Sequence, residues 1–282
     1  MRIRDLKSVR ALSCSLLVIA GISGIAGTAA AQELQSHIVY TPARGALVAK
    51  AGNVTNHGGG VIVSAKVVFV FWGPSFNNAA SPDFAYARTL QADRNQFGMS
   101  PEYKVLQEYG VMPSNLGSGT PDWFDTSTPP VKVTDATVQA EVNRYLAVNA
   151  FNASTIYEVV IPKTSYSDDG SGTTSCGGPA LAYCAYHSWI GSGANATKYS
   201  IQPYPSCSGC KVTGWSDVQN QEHFFCHETR EAVTDPTGTT WWDSNGAEID
   251  DKCAWSPTPF LGTGGYACQY EWSNQRHMCV KF

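Results

Sequence analysis

Three residues of one predicted helix have the types and the spacing of a metal site, in which two could bind the ion and one could accept a proton. His227 and Glu231 are four residues apart, so their imidazole and carboxylate share a helix face and could hold one ion between them. Glu228 lies on the flank of that face, where it could take a proton from a water molecule bound to the ion. The alternative is an ordinary solvated helix face, because such faces often carry His, Glu and Arg.

A metal site of this kind needs a third ligand from elsewhere in the chain and an open position for water. Glu248, Asp250 and Asp251 follow Glu231 by 17 to 20 residues and are candidate ligands, although a solvated turn or a calcium site would use the same residue types. His187, in a strand-like segment, is a further candidate. It could be a ligand or a donor to negative charge in a transition state.

The helix that would carry the motif is predicted over residues 216–234. Ser216 and Gln219 form a capping box at its start, and Pro236 follows its end. Its apolar residues fall on one stripe that must pack on a sheet, and they are Val218, Phe225, Ala232 and Val233. His227 lies nearly opposite this stripe, with Glu231 beside it.

The remaining pattern predicts one α/β domain with a mixed sheet and a few helices. Residues 82–109 read as two helices broken near residues 98–101, and residues 135–149 as a third. The predicted strands cover residues 61–72, 155–162, 181–190, 198–205 and 266–272. Residues 32–60 form a lead-in without a clear period, so we expect the domain to span residues 61–282.

The first 31 residues have the pattern of a cleavable export signal. A basic start precedes an apolar run over residues 11–27, and three alanines supply a cleavage site before Gln32. A membrane anchor is the alternative, but the run is short and interrupted by glycine. We therefore expect a secreted protein with no membrane segment after cleavage. The net charge of −4 becomes more negative without this basic segment, which argues against nucleic-acid binding.

Cysteine usage indicates the same compartment. Eight of the nine cysteines lie after residue 175, and an even number behind an export signal predicts disulfides in a C-terminal subdomain. Cys207 and Cys210 are separated by two residues, which favours a tight local disulfide over half of a zinc ribbon. The connectivity of the remaining cysteines does not follow from the sequence.

Several segments together resemble secreted bacterial proteins related to the plant EXORDIUM, or phosphate-induced, family. They are the motif His-Glu-x-x-Glu-Ala-Val-Thr-Asp-Pro over residues 227–236, the acidic run over 248–251 with Cys253, and Gln-Tyr-Glu-Trp-Ser-Asn over 269–274. The strand that ends in Phe-Trp-Gly at residues 71–73 and the strand that carries Tyr186 and His187 fit the same pattern.

This resemblance spans most of residues 55–282 and implies an extracellular protein with a zincin-like domain. By position, His227, Glu228 and Glu231 match the family's motif helix, and Asp251 matches the aspartate before the cysteine. The predicted metal ligands are therefore His227, Glu231 and Asp251, with Glu228 as the general base. Cys226 and Cys268 are additions to the pattern, which favours a bond between them.

Three functions compete at this point. The first is a secreted hydrolase with one zinc ion, a peptidase acting on proteins or peptides, in which Glu228 is the base and His187 assists. The second is a non-catalytic extracellular or cell-wall protein, in which exposed tryptophans could stack on glycans. The third is a glycosidase with paired carboxylates. The tryptophans considered are Trp241, Trp242, Trp255 and Trp272.

Overall fold

A computed structural model describes residues 38–45, 52–119 and 121–282. The predicted export signal, residues 1–31, lies outside this part of the chain. The described residues contain four α-helices: α1 (Pro82–Phe97), α2 (Pro101–Lys104), α3 (Asp135–Leu146) and α4 (Asp217–Thr234). Helix α2 continues as a 3-10 turn over Val105–Tyr109. None of these helices is long and apolar enough to cross a bilayer.

The strands of the central sheet are β1 (Val39–Pro42), β3 (Lys66–Trp72), β4 (Trp123–Asp125), β6 (Thr155–Val160), β8 (Tyr183–Ile190) and β9 (Thr197–Gln202). The short pairs around it use β2 (Thr55–Asn56), β5 (Lys132–Thr134), β7 (Tyr166–Asp168), β10 (Trp241–Trp242), β11 (Phe260–Leu261), β12 (Ala267–Cys268), β13 (Glu271–Ser273) and β14 (Met278–Val280).

The central sheet is mixed, with the order β1-β8-β9-β6-β3-β4. Strands β4, β3, β6 and β9 run parallel, whereas β8 and β1 are each antiparallel to their neighbours. Parallel strands covered on both faces read as continuous apolar runs, and β3 is buried from Val67 to Trp72. The predicted α/β domain with a mixed sheet is therefore confirmed at this level.

Alternate residues of β3 enter two separate cores. Val67, Phe69 and Phe71 pack with α1 and α4 on one face of the sheet. The intervening residues of β3 pack with α3 on the other face, as the two-residue period of a strand requires. Helix α4 is thus fixed against one face of the sheet, and its position determines where the residues of the motif lie.

Most predicted elements are present, with shifted ends. Strand β3 begins at Lys66 rather than Val61, because Ile62 donates its backbone N–H to Val233 at the end of α4 and not to a strand. The predicted strand over residues 266–272 is divided into β12 and β13 around Gln269, whose side chain is buried against α4. The break between α1 and α2 is confirmed.

The predicted lead-in, residues 32–60, contributes an edge strand to the sheet. Strand β1 pairs with β8, with Val39 opposite His187 and Thr41 opposite Ala185. Strand β1 is the edge strand beside β8, and β9 lies inside the sheet. Thr41 is fully buried as a result.

Four disulfides join all eight cysteines between residues 176 and 279. The pairs are Cys176–Cys207, Cys184–Cys210, Cys226–Cys268 and Cys253–Cys279. The expected local bond between Cys207 and Cys210 is wrong, because Cys207 pairs with Cys176 and Cys210 pairs with Cys184 of β8. With both cysteines in disulfides, the zinc ribbon is ruled out as well. The bond between Cys226 and Cys268 is confirmed. Four disulfides indicate an oxidising, extracellular-type environment.

Candidate metal centre

Helix α4 is buried on all sides from Asn220 to Thr234. The capping box of Ser216 and Gln219 is formed, and Phe225 and Val233 of the predicted stripe lie in the core. The opposite face is buried as well: His227, Glu228 and Glu231 have no exposed surface. This burial contradicts the alternative of a solvated helix face. Charged groups are rarely fully buried without a partner or a metal, so these side chains need one or the other.

His227 and two carboxylates converge on one point. Its Nε2 lies 3.1 Å from Oε2 of Glu231 and 3.7 Å from Oδ1 of Asp251. Two ligands of a tetrahedral zinc ion with bonds of about 2.1 Å are separated by roughly 3.4 Å. The three atoms therefore have the spacing of ligands to one ion.

Gln269 fixes the proton of the His227 ring on the nitrogen that faces away from this point. The amide nitrogen of Gln269 donates to the backbone carbonyl of Asp250 at 2.7 Å and to its carboxylate at 2.9 Å, so its oxygen must face α4. That oxygen lies 3.1 Å from Nδ1 of His227, which must donate the hydrogen bond. In the neutral ring Nε2 therefore carries the lone pair, the arrangement found in metal-binding histidines.

Glu231 and Asp251 are tied to each other as well as to His227. The backbone N–H of Asp251 donates to Oε1 of Glu231 at 2.9 Å, whereas Oε2 of Glu231 is buried without a hydrogen-bond partner in the described structure. The Asp251 side chain is 13% exposed, so water reaches the cluster from that side. One oxygen of Glu231 is thus held in place while the other is free to bind a cation.

The neighbouring acids Glu248 and Asp250 have different positions. Asp250 pairs with the buried guanidinium of Arg230, which donates from Nε at 3.0 Å and also from Nη2. The carboxylate of Asp250 is therefore paired with Arg230 and not with the histidines of the cluster. Glu248 lies on the other side, with Oε1 3.7 Å from Nε2 of His187. Of the three acidic candidates, only Asp251 contacts His227.

Glu228 is held between β1 and β8. Its Oε2 lies 3.1 Å from Nδ1 of His187, and its Oε1 accepts hydrogen bonds from the backbone N–H and the hydroxyl of Thr41. His187 also lies 3.8 Å from Oε2 of Glu231. The sequence-predicted residues Glu228, His187, His227, Glu231 and Asp251 therefore all meet in one buried cluster.

Excess negative charge governs the electrostatics of this cluster. Burial raises the pKa of Glu231 to about 7, against the opposing effect of His227. Burial and neighbouring carboxylates raise the pKa values of Glu248 and Asp251 well above their ordinary range. Burial alone would lower the pKa of His227, but the charge of Glu231 raises it far above its usual value. The same field that attracts protons would attract a metal cation.

Two residues that hold side chains of this cluster, Gln269 and Thr41, were not predicted from the sequence. Gln269 was recognised only as part of a motif, and nothing in its neighbourhood indicates that it contacts His227. Thr41 lies in a segment without periodicity. His223, also on α4, points its Nε2 at the oxygen of Gln269 at 2.9 Å and is not among the ligands.

The tryptophans considered for glycan binding are divided among different surroundings. Trp242 stacks on His57 with ring centroids 3.4 Å apart, whereas Trp255 contacts His223 and the guanidinium of Arg44. Trp272 is buried. Trp241 packs edge-on against Tyr109, so each of these rings contacts a different partner in the described structure.

The cluster thus offers two sets of three possible metal ligands. One contains His227, Glu231 and Asp251, and the other His187, Glu228 and Glu231; within each set the ligand atoms lie within 4.8 Å of one another. Carboxylates and imidazoles together suit zinc and similar divalent ions. In comparisons with family models, curated proteins and solved structures, the chain matched none.

Proposed function

We propose that this chain is a zinc-dependent hydrolase that acts on peptide bonds, with His227, Glu231 and Asp251 as metal ligands. The observation that carries the proposal is the position of Nε2 of His227, which can bind a metal once its proton is displaced. This buried atom has no hydrogen-bond partner among the described residues and faces two carboxylates, while Gln269 holds the opposite ring nitrogen. The peptide substrate rests on the resemblance of the motif to those of zinc peptidases.

A zinc ion bound there would supply a Lewis acid and lower the pKa of water at the site. Glu228 is placed to accept a proton, since it lies one residue after a ligand and is not part of the His227 ligand set. Thr41 and His187 hold its two oxygens. His187 would release or take up that proton, or donate to a developing oxyanion.

Burial of the ligands favours a second candidate function. Structural zinc sites are closed, whereas catalytic sites keep an open position, and only Asp251 of the three ligands is partly exposed. A non-catalytic extracellular protein with a structural ion would have this property. The two functions agree on the metal and differ only on hydrolysis.

The test uses tag-free protein loaded with zinc chloride and passed through a desalting column. We expect His227→Ala to lower the bound zinc by one equivalent, because it removes the only nitrogen ligand of this set. His223→Ala is the matched control: this buried histidine of the same helix contacts Gln269 but no carboxylate of the cluster. Unchanged zinc content in His227→Ala would overturn the proposed metal site.

Hydrolysis of casein is measured for the wild type and for the Glu228→Gln variant. This variant should keep the zinc held by His227 and lose about 100- to 10,000-fold in rate, the usual contribution of a positioned general base. Equal rates in the wild type and the variant would refute the role of Glu228. A zinc-loaded wild type that cleaves no peptide would favour the structural-ion function.

A further inference from the structure

We propose that the cluster binds a second divalent cation, held by His187 and Glu228, with Glu231 shared between the two ions. This inference rests on the proposed metal site at His227 and adds to it. Its starting point is that Glu231 belongs to both sets of possible ligands. A bridging carboxylate is a common feature of sites in which two ions lie about 3.5–4 Å apart.

The distances around His187 match those around His227. Nδ1 of His187 lies 3.1 Å from Oε2 of Glu228 and 3.8 Å from Oε2 of Glu231. The same oxygen of Glu231 lies 3.1 Å from Nε2 of His227. These values bracket the separation of roughly 3.4 Å between two ligands of one tetrahedral ion. Glu231 thus has a histidine nitrogen on each side.

A second, independent observation concerns the far side of the His187 ring. Its Nε2 and Oε2 of Glu248 are buried and lack hydrogen bonds within the described structure, although Nε2 lies 3.7 Å from Oε1 of Glu248. If Nδ1 binds a metal, Nε2 carries the proton and points toward a carboxylate. A carboxylate that hydrogen-bonds this nitrogen orients a metal-binding histidine, and Glu248 is the residue placed to supply it.

Charge balance favours two ions over one. Four carboxylates lie in or beside the cluster, those of Glu228, Glu231, Glu248 and Asp251. Among the described residues, their ion-pair partners are His187 and His227. Arg230 pairs instead with Asp250 and Glu271. When all four carboxylates are ionised, one divalent cation neutralises two of them and a second neutralises the others. Buried carboxylates without such compensation are strongly unfavourable.

Two ions would also assign a different role to Glu228. As a ligand of the second ion it would not act as the general base; the pair of ions would instead stabilise the attacking water oxygen and the oxyanion that develops on the peptide carbonyl. The Glu228→Gln variant separates the two roles. It keeps all of its metal if Glu228 is only a base and loses one equivalent if Glu228 is a ligand.

The experiment is a measurement of bound zinc by elemental analysis after saturation with zinc chloride. We expect two equivalents in the wild type, one in His187→Ala, and two in the control His223→Ala. One equivalent in both the wild type and His187→Ala would overturn the second ion and leave the proposed function intact. No zinc in the wild type would overturn both proposals.

A spectroscopic measurement on the wild type alone covers the case in which His187→Ala fails to fold. Manganese(II) is added in place of zinc, and the electron paramagnetic resonance spectrum is recorded. Two manganese ions about 3.5–4 Å apart should give an exchange-coupled spectrum. A spectrum of isolated manganese ions at saturation would overturn the proposal.

Discussion

Replacing Gln269 with leucine tests whether the orientation of the His227 ring matters for metal binding. Leucine has a similar volume but cannot accept the hydrogen bond from Nδ1 of His227, which is 3.1 Å long in the native protein. Loss of such an outer partner typically lowers metal affinity 10- to 100-fold. At about 1.4 kcal/mol per factor of ten, the expected loss is roughly 1.4–2.8 kcal/mol of zinc-binding free energy.

The same substitution should weaken the fold. The amide of Gln269 donates two hydrogen bonds to Asp250, and leaving a buried acceptor unpaired costs about 1–3 kcal/mol. Zinc affinity must therefore be measured on folded protein, by competition with a chromogenic chelator in the absence of denaturant. Urea unfolding of the zinc-free protein then gives the loss of stability separately.

A control on another face of the same helix makes this comparison specific. Thr229→Val removes a buried hydrogen bond of 3.1 Å to Glu158 but leaves Gln269 and the ring of His227 in place. We expect its zinc affinity to equal that of the wild type. If folded Gln269→Leu also binds zinc as tightly as the wild type, the argument from ring orientation is refuted.

Two further predictions concern buried charged residues that are not among the proposed ligands. Arg230→Met should lower the free energy of unfolding by about 3–5 kcal/mol in urea titrations, because it leaves two buried carboxylates without their partner. The control Lys211→Met breaks a partly exposed ion pair with Asp217 and should lower that free energy by less than about 1 kcal/mol. Burial, with a hydrogen bond and charge from Asp125, raises the pKa of Glu141 to about 8. Because the folded state then holds a proton that the unfolded state has released, stability should fall as pH rises from about 5 to 8. Glu141→Gln should make that slope shallower, while other buried acids with raised pKa values, such as Glu231, keep part of it; an unchanged slope in the variant would contradict the assignment.

The motif helix shows what local sequence determines. The capping box and the apolar stripe are local patterns, and they correctly predicted the start of α4 and the side that contains Phe225. The burial of its polar side could not be predicted in this way. It depends on contacts with Gln269 and Thr41, which are 42 and 187 residues away from the residues they contact.

The acidic run shows a second limit. Asp250 and Asp251 are adjacent and chemically equivalent, so the residue types alone leave both as candidate ligands, although the family resemblance points to Asp251. Their roles differ because Arg230 binds Asp250 and the backbone of Asp251 binds Glu231. Only the position of the run relative to α4 separates them, and that position is set by tertiary packing.

The disulfide between Cys226 and Cys268 joins the immediate neighbours of His227 and Gln269. One covalent bond therefore links the segment that carries the proposed ligand to the segment that orients its ring. Oxidation of this cysteine pair and metal binding then become linked equilibria. Whatever factor the bond adds to the affinity for zinc, bound zinc adds the same factor to the equilibrium for forming the bond. We expect protein made in a reducing compartment to lack the disulfide and to bind the proposed metal more weakly, and protein made in an oxidising one to have both.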